Sequence, residues 1–370
     1  MRQSLLNVLC APRSKKPFSL YAFESRRSSI DEEEDIIEGI LLAEDSDEIY
    51  PIIDGVPVIL DASFTQQFLH KHIEKISQNE TLSKINLCMQ GRSNWSFSTE
   101  WNYHFDSDLV ITWGWTLEER VQQFLLETDL EPNVCNGKLI LDAGSGNGQL
   151  SEALTRLGAT VVALDYSTSV AVAERRRKAP NVHFIRGDLQ APPFDVNTFD
   201  IIISNGVLHH TPDTYKAFIE VAKLVKPGGR FYLWLYRKPE KFLRRYFLLP
   251  VVDLVRIITS RLPCGPQMLL VKGYALTLMS LHKILGKYKD HPCSWPERVV
   301  MAYDSLTPLW RHYHTPLEVS CWFFMNGYSC PTITHWDNPY GFGMVATKKP
   351  QKDTPGVNFG QAKIVQRYWS

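Results

Sequence analysis

The sequence predicts an α/β protein: a doubly wound, largely parallel sheet with a small N-terminal β domain and a helical cap insertion. Three observations carry that prediction. An apolar run, Leu139 to Leu141, stops at Asp142 and opens into a loop with Gly144, Gly146 and Gly148; Leu150, Ala153, Leu154 and Leu157 then recur at the spacing of one helix face. Further short apolar runs alternate with helical patterns as far as Tyr236, which is the order a parallel sheet with crossover helices requires. Beyond Arg237 the alternation stops, and apolar stretches broken by Pro250, Pro263 and Pro266 take over.

A chain of 370 residues, 44% of them hydrophobic, accommodates about two domains or one decorated domain. Forty basic and forty acidic side chains balance, so no overall charge draws it to nucleic acid. The local clusters Arg175 to Lys178 and Arg237 to Arg245 are read as solvated helix faces, with phosphate contact as the alternative. Seven cysteines without a Cys-x-x-Cys pair predict neither a disulfide framework nor a four-cysteine metal site. The segment Met1 to Val8 does not have the form of a signal peptide, and no uncharged apolar run reaches spanning length. The expectation is a cytoplasmic protein.

Residues 1–61 have their own character. Ser28 to Asp35 is polar and acidic, as a surface loop would be, and strand-like runs follow at Ile36 to Leu42 and Tyr50 to Leu60. Asp54-Gly55 inside the second run is a hairpin signal. The text "IEGILL" and "YPIIDGVPVIL" is similar to small zinc-ribbon domains that serve methyltransferases as activating partners. Aligned in this way, the metal-binding positions fall on Cys10, Arg13, Ala43 and Ser46, so one thiol of four stands and no metal is expected. An unrelated β-hairpin is the alternative.

Residues 62–130 are read as a helical, aromatic lid and linker. Phe64, Phe68, Ile73 and Ile76 have a loose helical period, and Trp95, Phe97, Trp101, Tyr103, Phe105, Trp113 and Trp115 follow as a cluster. Such rings can enclose a cation or pack a helix onto the core. Thr116 with Glu118 and Glu119 has the form of a helix N-terminus.

The core is predicted over 131–237 and 313–350. The dinucleotide fingerprint would place its last glycine at Gln149, whereas this chain reads Asp142-Ala143-Gly144-Ser145-Gly146-Asn147-Gly148. That text resembles motif I of the class I S-adenosylmethionine (SAM)-dependent methyltransferases, a Rossmann-like fold, and the resemblance implies that this loop holds the methionine part of SAM. The next apolar run, Val161 to Leu164, ends at Asp165 and Tyr166; a carboxylate there can accept both ribose hydroxyls, the alternative for Asp165 being a helix cap. After the run Val182 to Ile185, the resemblance places Asp188 on the adenine amino group and Leu189 N–H on a ring nitrogen. "SNGVLHHTPD", Ser204 to Asp213, resembles motif IV of the methyltransferase-11-type branch, so Asn205 and Gly206 should face both SAM and acceptor. Lys226-Pro227-Gly228-Gly229 is expected to precede a fifth strand, Phe231 to Leu235.

His209 and His210 sit at that strand exit. His209 is read as structural and His210 as a catalytic candidate, since imidazole titrates near neutrality. Residues 238–312 are expected to form the cap over an acceptor pocket, either packed or leaning on a membrane. Thr315 and Pro316 open a further helix ending near Gly327, two strands follow (Thr332 to Trp336 and Gly343 to Thr347), and 351–370 form a polar tail.

The resemblance implies a SAM-dependent methyltransferase, with SAM as cofactor and no metal. A small-molecule or lipid-like acceptor is expected from the apolar cap; a tRNA nucleotide and a non-catalytic partner subunit are the alternatives.

Overall fold

The computed structural model describes residues 1–60, 68–69, 71–78, 82, 111–112, 115–242, 246–247, 249–284, 295–335, 338 and 340–350. Four strands open the chain. β1 (Phe18–Arg27) and β2 (Glu34–Ala43) are antiparallel, with Phe18 opposite Ala43. β2 pairs with β3 (Ile49–Ile53), and β3 turns into β4 (Val56–Ile59) through Asp54 and Gly55, at φ 50° and 81°. Both turn residues take the left-handed conformation that a two-residue hairpin needs, as the Asp-Gly pair predicts.

β1 was not among the expected strands. Its second half, Glu24 to Arg27, is largely exposed and polar and so lacks a buried alternation. Phe68, Leu69, Ile76 and Leu82 bury themselves against Ile40 and Ile49, so part of the loose helical period after residue 62 covers β2 and β3. Phe64, the aromatics from Trp95 to Trp113 and residues 351–370 lie outside the described residues.

Where the ribbon alignment places its metal, a carboxylate joins the two loops. Glu48, 2% exposed, accepts hydrogen bonds from the N–H groups of Arg13 (3.1 Å) and Ser14 (2.7 Å) and from the Tyr50 hydroxyl (3.0 Å). Burial opposes its ionisation, but these donors win and hold it below the usual carboxylate range. Burial pushes the nearby Cys10 thiol up to about 11.

The core begins with α1 (Leu117–Thr128), whose N-terminus is closed by reciprocal bonds between Thr116 and Glu119. It continues as β5 (Leu139–Ala143), α2 (Gln149–Leu154), β6 (Thr160–Asp165), α3 (Ser169–Arg176), β7 (Val182–Gly187), β8 (Phe199–Asn205), α4 (Thr214–Lys223) and β9 (Val225–Tyr236). The cap contributes α5 (Leu249–Thr259), α6 (Cys264–Ile284) and α7 (Trp295–Leu306). The chain then returns to the sheet through α8 (Pro316–Met325), β10 (Thr332–Thr334) and β11 (Gly341–Thr347).

All eleven of these strands form one sheet, in the order β1-β2-β3-β4-β7-β6-β5-β8-β9-β11-β10. β7, β6, β5, β8 and β9 run parallel to one another, and β11 is antiparallel to both β9 and β10. The N-terminal strands continue that sheet: β4 lies parallel to β7, with Val58 opposite Arg186 and Ile59 opposite Gly187. The core strands are apolar on both faces. Leu141, Val162, Ile185 and Ile202 pack on one side with Phe218 and Phe323, whereas Ile140, Val161, Phe184 and Ile203 pack on the other with Phe124 and Leu154.

Two boundaries move. Lys226-Pro227-Gly228-Gly229, expected ahead of the fifth strand, is an irregularity within it. Val225 pairs with Phe199, the register then breaks, and pairing resumes with Arg230 opposite Ile201. Gly228 takes φ 81° there. In the cap, Pro250 and Pro266 lie in the first turns of α5 and α6, where a missing N–H costs nothing, so they start helices where breaks were expected. Thr315 caps α8 with Glu318 as its reciprocal partner, and Gly327 follows the helix at φ 80°, as expected.

Candidate active site

β5, β6, β7 and β8 are adjacent and parallel, so the predicted cofactor residues gather at one edge of the sheet, at the carboxyl ends of these strands. Asp142 and Ala143 end β5, Asp165 ends β6 with Tyr166 beyond it, Asp188 and Leu189 follow β7, and Asn205 and Gly206 stand at the exit of β8.

The loop from Gly144 to Gly148 is fixed before any ligand arrives. Gly144 and Ser145 donate their N–H groups to Leu164 O (2.8 and 3.2 Å), and Gly146 donates to Asp165 Oδ2 (2.8 Å). Asn147 Oδ1 accepts from Gln149 N (3.2 Å) at the start of α2. Two glycines are demanded by space as well as by dihedral angle. A Cβ on Gly144, at φ 96°, would lie 2.3 Å from Val207, and one on Gly148, at φ 71°, would lie 2.3 Å from the Phe184 ring.

Asp165 also accepts from Ser167 N through Oδ1 (2.8 Å), a turn two residues on; the N-cap position of α3 is Thr168, so Asp165 is not the helix cap weighed as its alternative. Arg186, buried on β7, donates to Tyr166 O (3.1 Å) and fixes the turn beyond β6. Asp188 Oδ1 accepts from Gln190 N (2.8 Å), and the Leu189 side chain packs into the core. Gly206, at φ 78°, donates to Trp234 O (3.2 Å), while Asn205 stays exposed.

Asp142 is buried, and its Oδ2 accepts from Ser151 Oγ (2.6 Å). Burial pushes its carboxyl up to about 6, against the opposing pull of Ser151 and of the Arg120 guanidinium. Arg120, on α1, is held below its usual range by burial, with Asp142 as the opposing charge. Sequence reading missed Arg120, because nothing around it marks which face of α1 turns toward the sheet. Ser145 Oγ is shielded from solvent and has no hydrogen-bond partner among the described residues. A shielded hydroxyl left open beside a helix start, with a cation opposite a carboxylate, fits a polar ligand bearing both charges.

The histidines lie where the core meets the cap. His209 is fully buried, its ring centroid 4.0 Å from that of Tyr236; burial holds it well below its usual range, so it is neutral. His210 donates through Nδ1 to Trp310 O (3.0 Å) and presents Nε2 to Asp304 Oδ1 (3.5 Å). Asp304, on α7, also accepts from the Tyr236 hydroxyl. Burial opposes its charge, but His210, Tyr236 and Arg311 together hold it below the usual carboxylate range. The Arg311 guanidinium lies 4.8 Å from the centre of the Tyr236 ring. None of Asp304, Tyr236 or Arg311 was singled out from sequence, since only folding brings the cap onto the sheet edge.

Residues 141–233 match the family described as Methyltransferase domain. The chain is 35% identical over 103 residues to a demethylmenaquinone methyltransferase of Renibacterium salmoninarum, covering 28% of this chain and 43% of that protein. It is 37% identical over 99 residues to a ubiquinone biosynthesis O-methyltransferase of Coxiella burnetii, covering 26% and 42%. The chain therefore spans less than half the length of these relatives. Among solved structures it is similar to magnesium protoporphyrin IX methyltransferase from Synechocystis with bound SAH, at 15% identity and a TM-score of 0.36, over 78% of this chain and 100% of that one. Strand order and family match make residues 141–233 a methyltransferase domain of Rossmann-like fold, of the kind that uses S-adenosylmethionine as cofactor. Among the described residues, no helix is long and apolar enough to cross a membrane.

Proposed function

We propose that the chain transfers a methyl group from S-adenosylmethionine to a small, lipid-like acceptor held between the sheet edge and the cap, the cap being the side that meets a membrane. The observation that carries the cofactor part is the shielded Ser145 hydroxyl, without a hydrogen-bond partner among the described residues, on the preformed glycine loop that leads from Asp142, the carboxylate that Arg120 opposes in charge. In this reading the loop Ala143 to Gly148 takes the methionine end. Arg120 meets its carboxylate and Asp142 its ammonium. Asp165 exchanges its bonds to Gly146 and Ser167 for the ribose hydroxyls, with Tyr166 beside it, and Asp188 and Leu189 take the adenine edge. Asn205 and Gly206 border the methyl side.

SAM supplies the electrophilic methyl group when bound, so the chain's own contribution is alignment and exclusion of water. His210 enters as a positioning residue. Both of its ring nitrogens face acceptors, Trp310 O and Asp304, which leaves no lone pair aimed at a substrate. With Tyr236 it ties α7 to the ends of β8 and β9 and so sets the distance between cap and cofactor. An acceptor of this kind is supported by the apolar cap and by the quinone pathways named in the two relatives, and the chain's balanced charge disfavours a nucleic-acid acceptor.

Calorimetric titration of SAM and of its demethylated product tests the cofactor assignment. Wild type is expected to bind both, and Asp165→Ala to bind at least about tenfold more weakly, as loss of charge-assisted hydrogen bonds implies. A folded wild type that binds neither removes the enzyme reading and leaves a non-catalytic partner subunit.

A further inference from the structure

The cap contains a helix that is turned inside out. On α5, Val251, Leu254, Val255 and Ile258 share one stripe at the spacing i, i+3, i+4, i+7, and they are 62%, 61%, 41% and 56% exposed. The opposite side faces inward and carries polar Arg256 and Thr259, with Val252 half-buried against α6 and α7. Arg256, 8% exposed, donates to Pro308 O and Leu309 O (both 2.8 Å) and to Asp253 (3.2 Å). Fully buried Thr259 accepts through its carbonyl from Gln267 (3.0 Å), which in turn accepts from the Tyr303 hydroxyl (2.7 Å). A polar network of this kind fixes the orientation of α5, so the outward apolar stripe is not an accident of a loosely placed helix.

Further apolar side chains of the cap are exposed outside α5. Leu269 and Leu276 on α6 are 74% and 51% exposed, and Phe242 and Phe247, ahead of α5, are 69% and 57% exposed. Exposed lysines punctuate them in sequence: Lys241 precedes Phe242, and Lys272 lies between Leu269 and Leu276 on α6. Charge follows the same pattern. From Lys238 to Ile284 the sequence has eight basic residues and two acidic ones, a surplus of six in a chain whose total is zero. The rest of the molecule thus has the opposite surplus. Within this segment Lys238, Lys241, Arg261 and Lys272 are exposed, whereas Arg256 is buried on the inward side of α5.

We infer that this face of the cap docks on an anionic lipid bilayer, with the α5 stripe and its neighbours entering the headgroup–acyl boundary and the basic residues meeting lipid phosphates. An apolar face interleaved with cations is what an interfacial helix presents to such a surface, and a water-facing surface would place its polar side outward. A second copy of this chain would carry the same positive surplus and repel the first, which disfavours a dimer across this face. The inference extends the lipid-like acceptor proposed above, because the cap that meets the bilayer is the element joined to the sheet edge through Asp304 and Trp310.

Flotation of the full chain with vesicles tests it, with SAM titration run on the same preparations. Wild type is expected to float with vesicles of phosphatidylcholine mixed with phosphatidylglycerol, and much less with phosphatidylcholine alone or in high salt. Leu254→Gln with Ile258→Gln, both on the solvent side, should reduce flotation at least about tenfold while leaving SAM binding unchanged. Lys241→Glu with Lys272→Glu should weaken binding to the anionic vesicles selectively. Absence of wild-type flotation overturns the inference, as does flotation that the stripe variant retains, or a wild-type dimer that the stripe variant turns into a monomer without any vesicle binding. Vesicle binding without SAM binding would uphold the docking face and remove the methyltransferase activity.

Discussion

α4 and α5 are ten and eleven residues long, both have two distinct sides, and they bury opposite ones. α4 turns Ala217, Phe218, Val221 and Ala222 into the core and leaves Lys216 and Glu220 toward water, and its N-terminus is closed by Asp213 accepting from Lys216 N (3.0 Å). α5 turns Arg256 and Thr259 inward and Leu254 and Ile258 outward. Helical periodicity reveals that a helix has two faces. Which face is buried depends on what else is available to cover it: for α4 the sheet, for α5 something beyond the chain.

That contrast can be broken by substitution. Phe218 is fully buried among Phe231, Trp322 and Phe323, and Phe218→Ala is expected to cost roughly 3–5 kcal/mol in denaturant unfolding. Leu254→Ala, on a helix of the same size, should change stability by no more than about 0.5 kcal/mol. Equal losses at the two sites would show that the α5 stripe is covered in the free protein.

The junction between the two regions should respond next most strongly. Asp304→Ala leaves His210 Nε2 without its carboxylate neighbour and the Tyr236 hydroxyl without its acceptor, at a cost of roughly 1–3 kcal/mol for a buried group left unpaired. The loss should appear as easier proteolysis of the cap while SAM titration is little changed. If the cap keeps its protease resistance, another contact joins it to the sheet.

A pH-dependent effect of comparable size concerns the core alone. Because burial raises the Asp142 carboxyl from 3.8 to about 6, the folded chain keeps that proton where the unfolded chain has lost it. The group's contribution to stability therefore falls as pH rises through that window, by roughly 3 kcal/mol, and Asp142→Asn should flatten this part of the profile. Saturating SAM should shift the Asp142 titration downward if its ammonium lies beside the carboxylate. An unchanged titration would place the ammonium elsewhere.

Much of the core could be read from sequence because its signals are local. The strand, glycine turn and helix start around Asp142 to Gly148 are contiguous, and the strand exits at Asp165, Asp188 and Asn205 each announce themselves where an apolar run stops. What escaped depends on distant partners. The β4–β7 pairing joins Val58 to Arg186, and nothing in either strand names the other. Asp304 reaches His210 and Tyr236 only after α7 folds back over the sheet edge. The polar second half of β1 concealed a strand, because an edge strand need not alternate.

The β4–β7 pairing also decides how this sheet can meet other chains. The flank of β7 is occupied by the protein's own N-terminal segment, so no foreign strand can be added there by backbone pairing. Among the described residues the sheet ends instead at β1 and β10. The first carries Glu24, Arg26 and Arg27 along its exposed half, and the second is three residues long. Charge at one rim and brevity at the other are defences against edge-to-edge association, and they allow a protein with so large a sheet to hold an apolar docking face elsewhere without inviting aggregation through its strands.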